Sequence, residues 1–131
     1  MTDTTKGTVL LVEDDEFLRS LIVRKLAERG YAVTIAKDGE EALTHLGSAL
    51  PDLMLLDLVL PGFSGFELVA KLREQGKGGR VPFIVLSNSA ESQNRQQAEE
   101  LGAADYLVKA QSTPSDIVTR VDTWFAERRT S

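Results

Sequence analysis

The residues best suited to chemistry in this chain are acids, one hydroxyl and one lysine, set far apart: Glu13, Asp14, Asp15 and Glu16 in one run, then Asp57, Ser87 and Lys109. Asp57 makes the strongest demand. It closes the apolar run Leu53, Met54, Leu55, Leu56 and is followed by Leu58, Val59, Leu60, Pro61 and Gly62. An ionised carboxylate in such surroundings is costly unless it is paired. If the acids of the two segments meet, unit charges about 4 Å apart repel by roughly 4 kcal/mol at an effective dielectric of 20. Such a cluster calls for a cation. With one histidine and no cysteine in the chain, oxygen ligands point to Mg2+ (or Mn2+) held by a few carboxylates. Ca2+ fits less well, because it takes roughly six to eight oxygens and no loop has EF-hand spacing.

Whether these residues meet depends on the elements that carry them. Short apolar runs alternate with amphipathic segments five times. Residues 9–12, 31–36, 53–57, 81–86 and 106–108 read as strands, with Pro82 tolerable near the start of the fourth. Phe17, Leu18, Leu21, Ile22 and Leu26 recur at helical spacing until Gly30, a natural residue to follow a helix C-terminus. Residues 38–46 and 65–73 read as the next two helices. Residues 91–101 form a helix with little apolar anchorage, Ala98 and Leu101, with Ala90 just before it. Thr113, Pro114 and Asp116 supply an N-cap, a first-turn proline and an acid at the third position of a last helix. Its apolar face is Ile117, Val118, Val121, Trp124 and Phe125.

Strict strand–helix alternation, with strands apolar on both faces, predicts an α/β fold: one doubly wound parallel sheet covered by five helices. The expected order is 2-1-3-4-5, as in flavodoxin-like folds. Ligands bind beyond the carboxyl ends of such strands, near the switch in strand order. The acidic run 13–16, Asp57, Ser87 and Lys109 all fall at those ends, and strands one and three are neighbours. Two or three carboxylates are therefore expected to converge.

Each residue also has an ordinary reading. An acidic run before a helix is often a solvated first turn, a serine after a strand often caps a turn, and a lysine there is usually exposed. All of these must hold together on one sheet edge for the site to vanish. His45, the single histidine, can build neither a triad nor a histidine metal site. The glycine-rich stretch at residues 76–79 lacks GxxxxGK[ST] and reads as a loop at the opposite pole.

The 131 residues suit one domain with a core over about 8–127, and 42% apolar with 27% charged is ordinary globular composition. A net charge of −5, from 20 acids against 15 bases, disfavours nucleic-acid binding. No run is long enough to span a membrane and no signal peptide is visible, so a cytoplasmic protein is expected.

With these residues placed, the chain resembles the receiver domain of two-component response regulators, the CheY-like family. The resemblance runs from Val9 to about Phe125 and rests on "LLVEDDEFLR", "LLDLVLPGFSGFEL", "PFIVLSNSA" and "GAADYLVKA", in that order. It implies that Asp57 is the phosphoacceptor, charged from a phosphohistidine on a histidine kinase or a histidine phosphotransfer protein. Glu13 and Asp14 match the acidic pair that binds Mg2+, with Asp57 and the backbone carbonyl of Val59 completing the set. Ser87 matches the hydroxyl that bonds the phosphoryl group, Lys109 the lysine that pairs with it, and Tyr106 the aromatic switch position. Beyond self-phosphorylation and autodephosphorylation no enzyme activity is expected. Asp15 and Glu16 lie outside the motif, as first-turn acids.

Two positions depart from the family pattern. Asn88 stands where a small residue is usual, which narrows access to the phosphoryl group and suggests slower autodephosphorylation. Ala110 stands where a proline with a cis peptide is usual, and a cis bond without proline costs roughly 2.5–4 kcal/mol. The placement of Lys109 is thus the open geometric question. The expectation is a stand-alone receiver, monomeric or weakly dimeric, whose output passes to an effector protein. The alternatives are a degenerate receiver serving as a scaffold, an aspartyl-phosphate hydrolase and a flavodoxin-like cofactor binder. The hydrolase would need a second acid where Val59 stands.

Overall fold

The computed structural model describes residues 5–76, 81–88 and 92–130, with residues 129 and 130 described by their backbone only. The expected loop at 77–79 and the residues Ala90 and Glu91 lie outside the described residues. The strands are β1 (Gly7–Val12), β2 (Tyr31–Ala36), β3 (Leu53–Asp57), β4 (Phe83–Ser87) and β5 (Asp105–Val108). The helices are α1 (Glu16–Glu28), α2 (Gly39–Ser48), α3 (Gly65–Glu74), α4 (Ser92–Glu100) and α5 (Pro114–Thr130). All pairings are parallel and the order is β2-β1-β3-β4-β5, as expected. The fourth strand begins and ends later than the sequence suggests. Val81 and Pro82 precede it, with the Pro82 carbonyl accepting from Met54 N at 2.9 Å, and Ser87 is its last residue.

The pleat sorts the apolar residues into two layers. Leu10, Val12, Met54, Leu56, Phe83, Val85, Tyr106 and Val108 face α2, α3 and α4. Val9, Leu11, Leu53, Leu55, Ile84, Leu86 and Leu107 face α1 and α5. Strands β3 and β4 are buried along their whole length, whereas the edge strand β2 is fully buried only at Tyr31 and Ala36. Apolarity on both faces therefore holds for the inner strands and not for β2, whose outer side has no neighbour. Among the described residues no helix is long and apolar enough to cross a membrane.

Helix ends follow their local chemistry. Gly30, at φ 96°, ends the turn after α1. Thr113 and Asp116 form a reciprocal capping box at α5, with N–H to side-chain bonds of 2.9 and 3.1 Å. On α5, Ile117, Val118, Val121 and Phe125 are buried, and Trp124 lies edge-on to Phe125 at 4.8 Å between ring centres. Helix α1 departs from expectation. Its buried stripe is Arg19, Ile22 and Leu26, and Phe17 is 75% exposed. Phe17 stands two residues before Arg19, about 200° round the helix, so it points away from the sheet.

Gly65 opens α3 hard against the strand end that carries Asp57. Its N–H donates to Leu58 O at 2.9 Å, and a Cβ there would lie 2.5 Å from the Asp57 main-chain oxygen and 3.1 Å from Leu58 Cα. Backbone cannot retreat as a side-chain tip can. Gly65→Ala is expected to lower stability by roughly 1–3 kcal/mol in urea unfolding. An unchanged midpoint would show that this junction yields freely.

Candidate functional site

Beyond Val12 the chain keeps the sheet's bonding for one more residue: Glu13 N donates to Ala36 O at 3.0 Å. Asp15 then caps α1, its Oδ1 accepting from Leu18 N at 3.0 Å, while its own N–H donates to Glu13 Oε2 at 3.0 Å. Glu16 follows as a first-turn acid. Asp15 and Glu16 are thus the helix-starting acids the sequence suggests. Asp14 stands exposed between them and the sheet.

Asp57 ends β3. Its Oδ1 accepts from Val59 N at 3.1 Å and its Oδ2 from Lys109 Nζ at 2.7 Å. Lys109 follows β5 and opens a single 3-10 turn, Lys109–Gln111. Among the described residues there is no cis peptide, so the Lys109–Ala110 bond is trans. The lysine reaches the acids without the family's usual proline. Its Nζ also lies 2.7 Å from Glu13 Oε1, so one ammonium joins two carboxylates that are 0% and 3% exposed.

Glu13, Asp14, Asp57, Val59 and Lys109 border one open cleft of about 580 Å³, together with Asp15, Leu18, Asn88 and Ala110. Ser87 and Tyr106 do not line it. By alternation Asp57 continues the row of Leu53 and Leu55, whereas Ser87 continues Phe83 and Val85 in the layer that holds Tyr106. Ser87 is 3% exposed beneath the rim, and Tyr106 is buried with the Arg95 guanidinium 4.7 Å from its ring centre. His45 is half-buried on α2 and lines no part of this cleft. The sequence reading missed Arg19, whose Nη1 donates to Glu13 O at 3.0 Å and lies 3.5 Å from Asp14 O. Its three- and seven-residue spacing from Ile22 and Leu26 is the signal that puts it on the buried face.

Burial raises the pKa of Glu13; the bond from Lys109 opposes this and the Asp57 charge adds to it, leaving the group at about 7 against an ordinary 4.5. For Lys109 the balance of causes is reversed. Burial tends to lower its pKa, but hydrogen bonds to Asp57 and Glu13 outweigh burial and raise it. The acids are therefore under-compensated by one lysine.

A cation would relieve this. Glu13, Asp14 and Asp57 each present a carboxylate oxygen, all within 4.8 Å of one another. Glu13 Oε1 is buried without a well-directed hydrogen bond, although Lys109 Nζ is close. An all-oxygen set of three acids fits a small, hard dication.

A family model described as the response regulator receiver domain matches residues 9–122. The chain belongs to that family. This receiver is 40% identical over 113 residues to the phosphate regulon transcriptional regulatory protein PhoB of Rhizobium meliloti, a match covering 86% of this chain and 49% of that protein. The chain thus spans about half the length of that relative. Among solved structures it is similar to the receiver domain of the Francisella response regulator 1452, with a TM-score of 0.83, 30% identity, and coverage of 95% of this chain and 99% of that one. It is also similar to the phosphorylated cyanobacterial phytochrome response regulator RcpA, with a TM-score of 0.71, 31% identity, and coverage of 79% and 80%.

The receiver's raised Glu13 has a measurable sign. The folded state binds the Glu13 proton more tightly than the unfolded state does, so its contribution to stability is full below about pH 4.5 and is lost as pH rises through about 7. In chelator, the stability of Glu13→Gln relative to wild type should therefore climb across that interval, by on the order of a few kcal/mol. A difference that stays flat between pH 4.5 and 8 in urea titrations would contradict the burial of an ionisable Glu13.

Proposed function

We propose that this receiver takes a phosphoryl group onto Asp57 from a phosphohistidine of a histidine kinase or a histidine phosphotransfer protein, and that the acyl phosphate resets a surface read by an effector protein. The observation that carries this reading is the Asp57 carboxylate itself: buried at a strand end, hydrogen-bonded to an ammonium, and opening with two further acids onto one accessible cleft. Membership of the receiver family and similarity to a phosphorylated member support it.

Glu13, Asp14, Asp57 and the carbonyl of Val59 would hold Mg2+, with Mn2+ as a substitute. When bound, the metal supplies positive charge against the oxygens of the transferring group. An Asp57 oxygen attacks phosphorus, the P–N bond breaks, and its electron pair returns to the donor imidazole. Val59 N–H holds Oδ1 and so fixes the rotation of the carboxylate. Lys109, already bonded to Oδ2, would pair with a phosphoryl oxygen once Asp57 is phosphorylated. Exclusion of bulk water from Asp57 strengthens both contacts.

Incubating the protein with Mg2+ and acetyl phosphate should add one phosphoryl group by intact mass. The adduct should be labile to hydroxylamine and absent from Asp57→Asn. No adduct would favour the scaffold reading, and turnover of phosphoesters would favour a hydrolase.

The same reading assigns the switch to Ser87 and Tyr106, which share a sheet face with α4. Only Ala98 of that helix is buried, and low apolar contact is what lets an element move at little cost. Drawing Ser87 toward the phosphoryl group would free space beside Tyr106. Hydrogen exchange of α4 amides should speed up on phosphorylation while β1 and β3 stay protected. Equal α4 protection in both states would sink this part of the proposal.

A further inference from the structure

We infer that Arg19 is a positioning residue of the cation site, gripping from α1 the main-chain carbonyls of Glu13 and Asp14 so that their carboxylates stand ready for a dication. The inference rests on the reading of Glu13, Asp14 and Asp57 as metal ligands.

Arg19 is only 9% exposed and shares its helix face with Ile22 and Leu26, both completely buried. A residue that merely filled this stripe would be apolar, since burying a guanidinium is costly without hydrogen bonds. Its recorded bonds go to two carbonyls of one dipeptide, Glu13 O at 3.0 Å and Asp14 O at 3.5 Å. Among the described residues no carboxylate lies within 4 Å of it. The arginine therefore leaves every carboxylate oxygen of the cluster available.

The two acids need this grip unequally. Glu13 is also held by its own N–H on Ala36 O, by Asp15 N on Oε2 and by Lys109 on Oε1. Among the described residues nothing bonds the Asp14 carboxylate, so its direction is set through its main chain. The carbonyl of that main chain is one Arg19 reaches.

Positioning and charge oppose each other here, which makes the inference decidable. A guanidinium beside a cation site repels the cation, so removing its charge alone would tighten metal binding. Removing its grip would loosen binding. If positioning dominates, Arg19→Met weakens binding despite the deleted positive charge.

The test is Mn2+ titration by calorimetry of metal-free wild type, Arg19→Met, Arg19→Lys, Asp57→Asn and Ile22→Val, with thermal midpoints in chelator alongside. Arg19→Met should bind Mn2+ about tenfold more weakly, a change of ~1.4 kcal/mol. Arg19→Lys, with its charge kept and a donor for one carbonyl, should fall between Arg19→Met and wild type. Ile22→Val, on the same helix face, should lower the midpoint while keeping wild-type affinity, which separates positioning from general loosening. Equal or tighter Mn2+ binding by Arg19→Met overturns the inference. If Arg19→Met does not fold, wild-type affinity in Arg19→Lys overturns it instead. Failure of wild type itself to bind Mn2+ would strike down the ligand reading as well, whereas binding lost only in Asp57→Asn leaves that reading standing and removes Arg19 from it.

Discussion

Glu13 and Asp57, two carboxylates with almost no exposure to solvent, share the single ammonium of Lys109 at 2.7 Å from each. Two negative charges against one positive leave a deficit even before the exposed Asp14 is counted. A burden of this kind persists only where the scaffold over-determines it. The sheet does so here. Strand order brings the ends of β1 and β3 side by side, while β5 lies two strands from β3, about 10 Å away. Only a long, flexible side chain spans that gap, passing over the end of β4. A lysine meets that requirement, and its three rotatable donors let it serve two acids at once.

The pleat gives the molecule its division of labour. Glu13, Asp57 and Lys109 continue the rows that face α1 and α5, and Ser87 and Tyr106 belong to the layer under α2, α3 and α4. The acid–lysine cluster and the Ser87–Tyr106 layer therefore lie on opposite sides of one sheet, and β4 and β5 are the elements that touch both. Helix α4 has one buried residue, Ala98, and the Arg95–Tyr106 contact. An exposed cation–π pair contributes only about 0.5–1 kcal/mol. Weak attachment on one face is compatible with a rigid site on the other because β3 and β4 are buried along their whole length.

The site also carries a cost to stability. Burial and the Asp57 charge hold Glu13 near neutrality, against the work of its hydrogen-bonding partners. An apolar residue at position 13 would pack at no such cost. What the acid adds is a third carboxylate oxygen in a set that could hold a dication. The same reasoning accounts for Arg19, which spends its donors on carbonyls and leaves the carboxylates open.

Period and punctuation in the chain alone determined most of the fold. Five apolar runs, five amphipathic segments, Gly30 and the Thr113–Asp116 cap are local signals, and parallel order follows because alternation leaves few alternatives. The convergence of Glu13, Asp14 and Asp57 was legible for the same reason, since all stand at strand ends next to the switch in strand order. Tertiary structure alone decided the rest. Phe17 is exposed and Arg19 buried because hydropathy does not state which face of α1 the sheet covers. Ser87 lies inside β4 rather than after it, because pairing with Val108 extends the strand. Lys109 finds the acids across β4 through a trans peptide, a long-range contact with no local signature. Nearest-neighbour physics is written in the order of residues; reach across a sheet exists only once the strands are laid down.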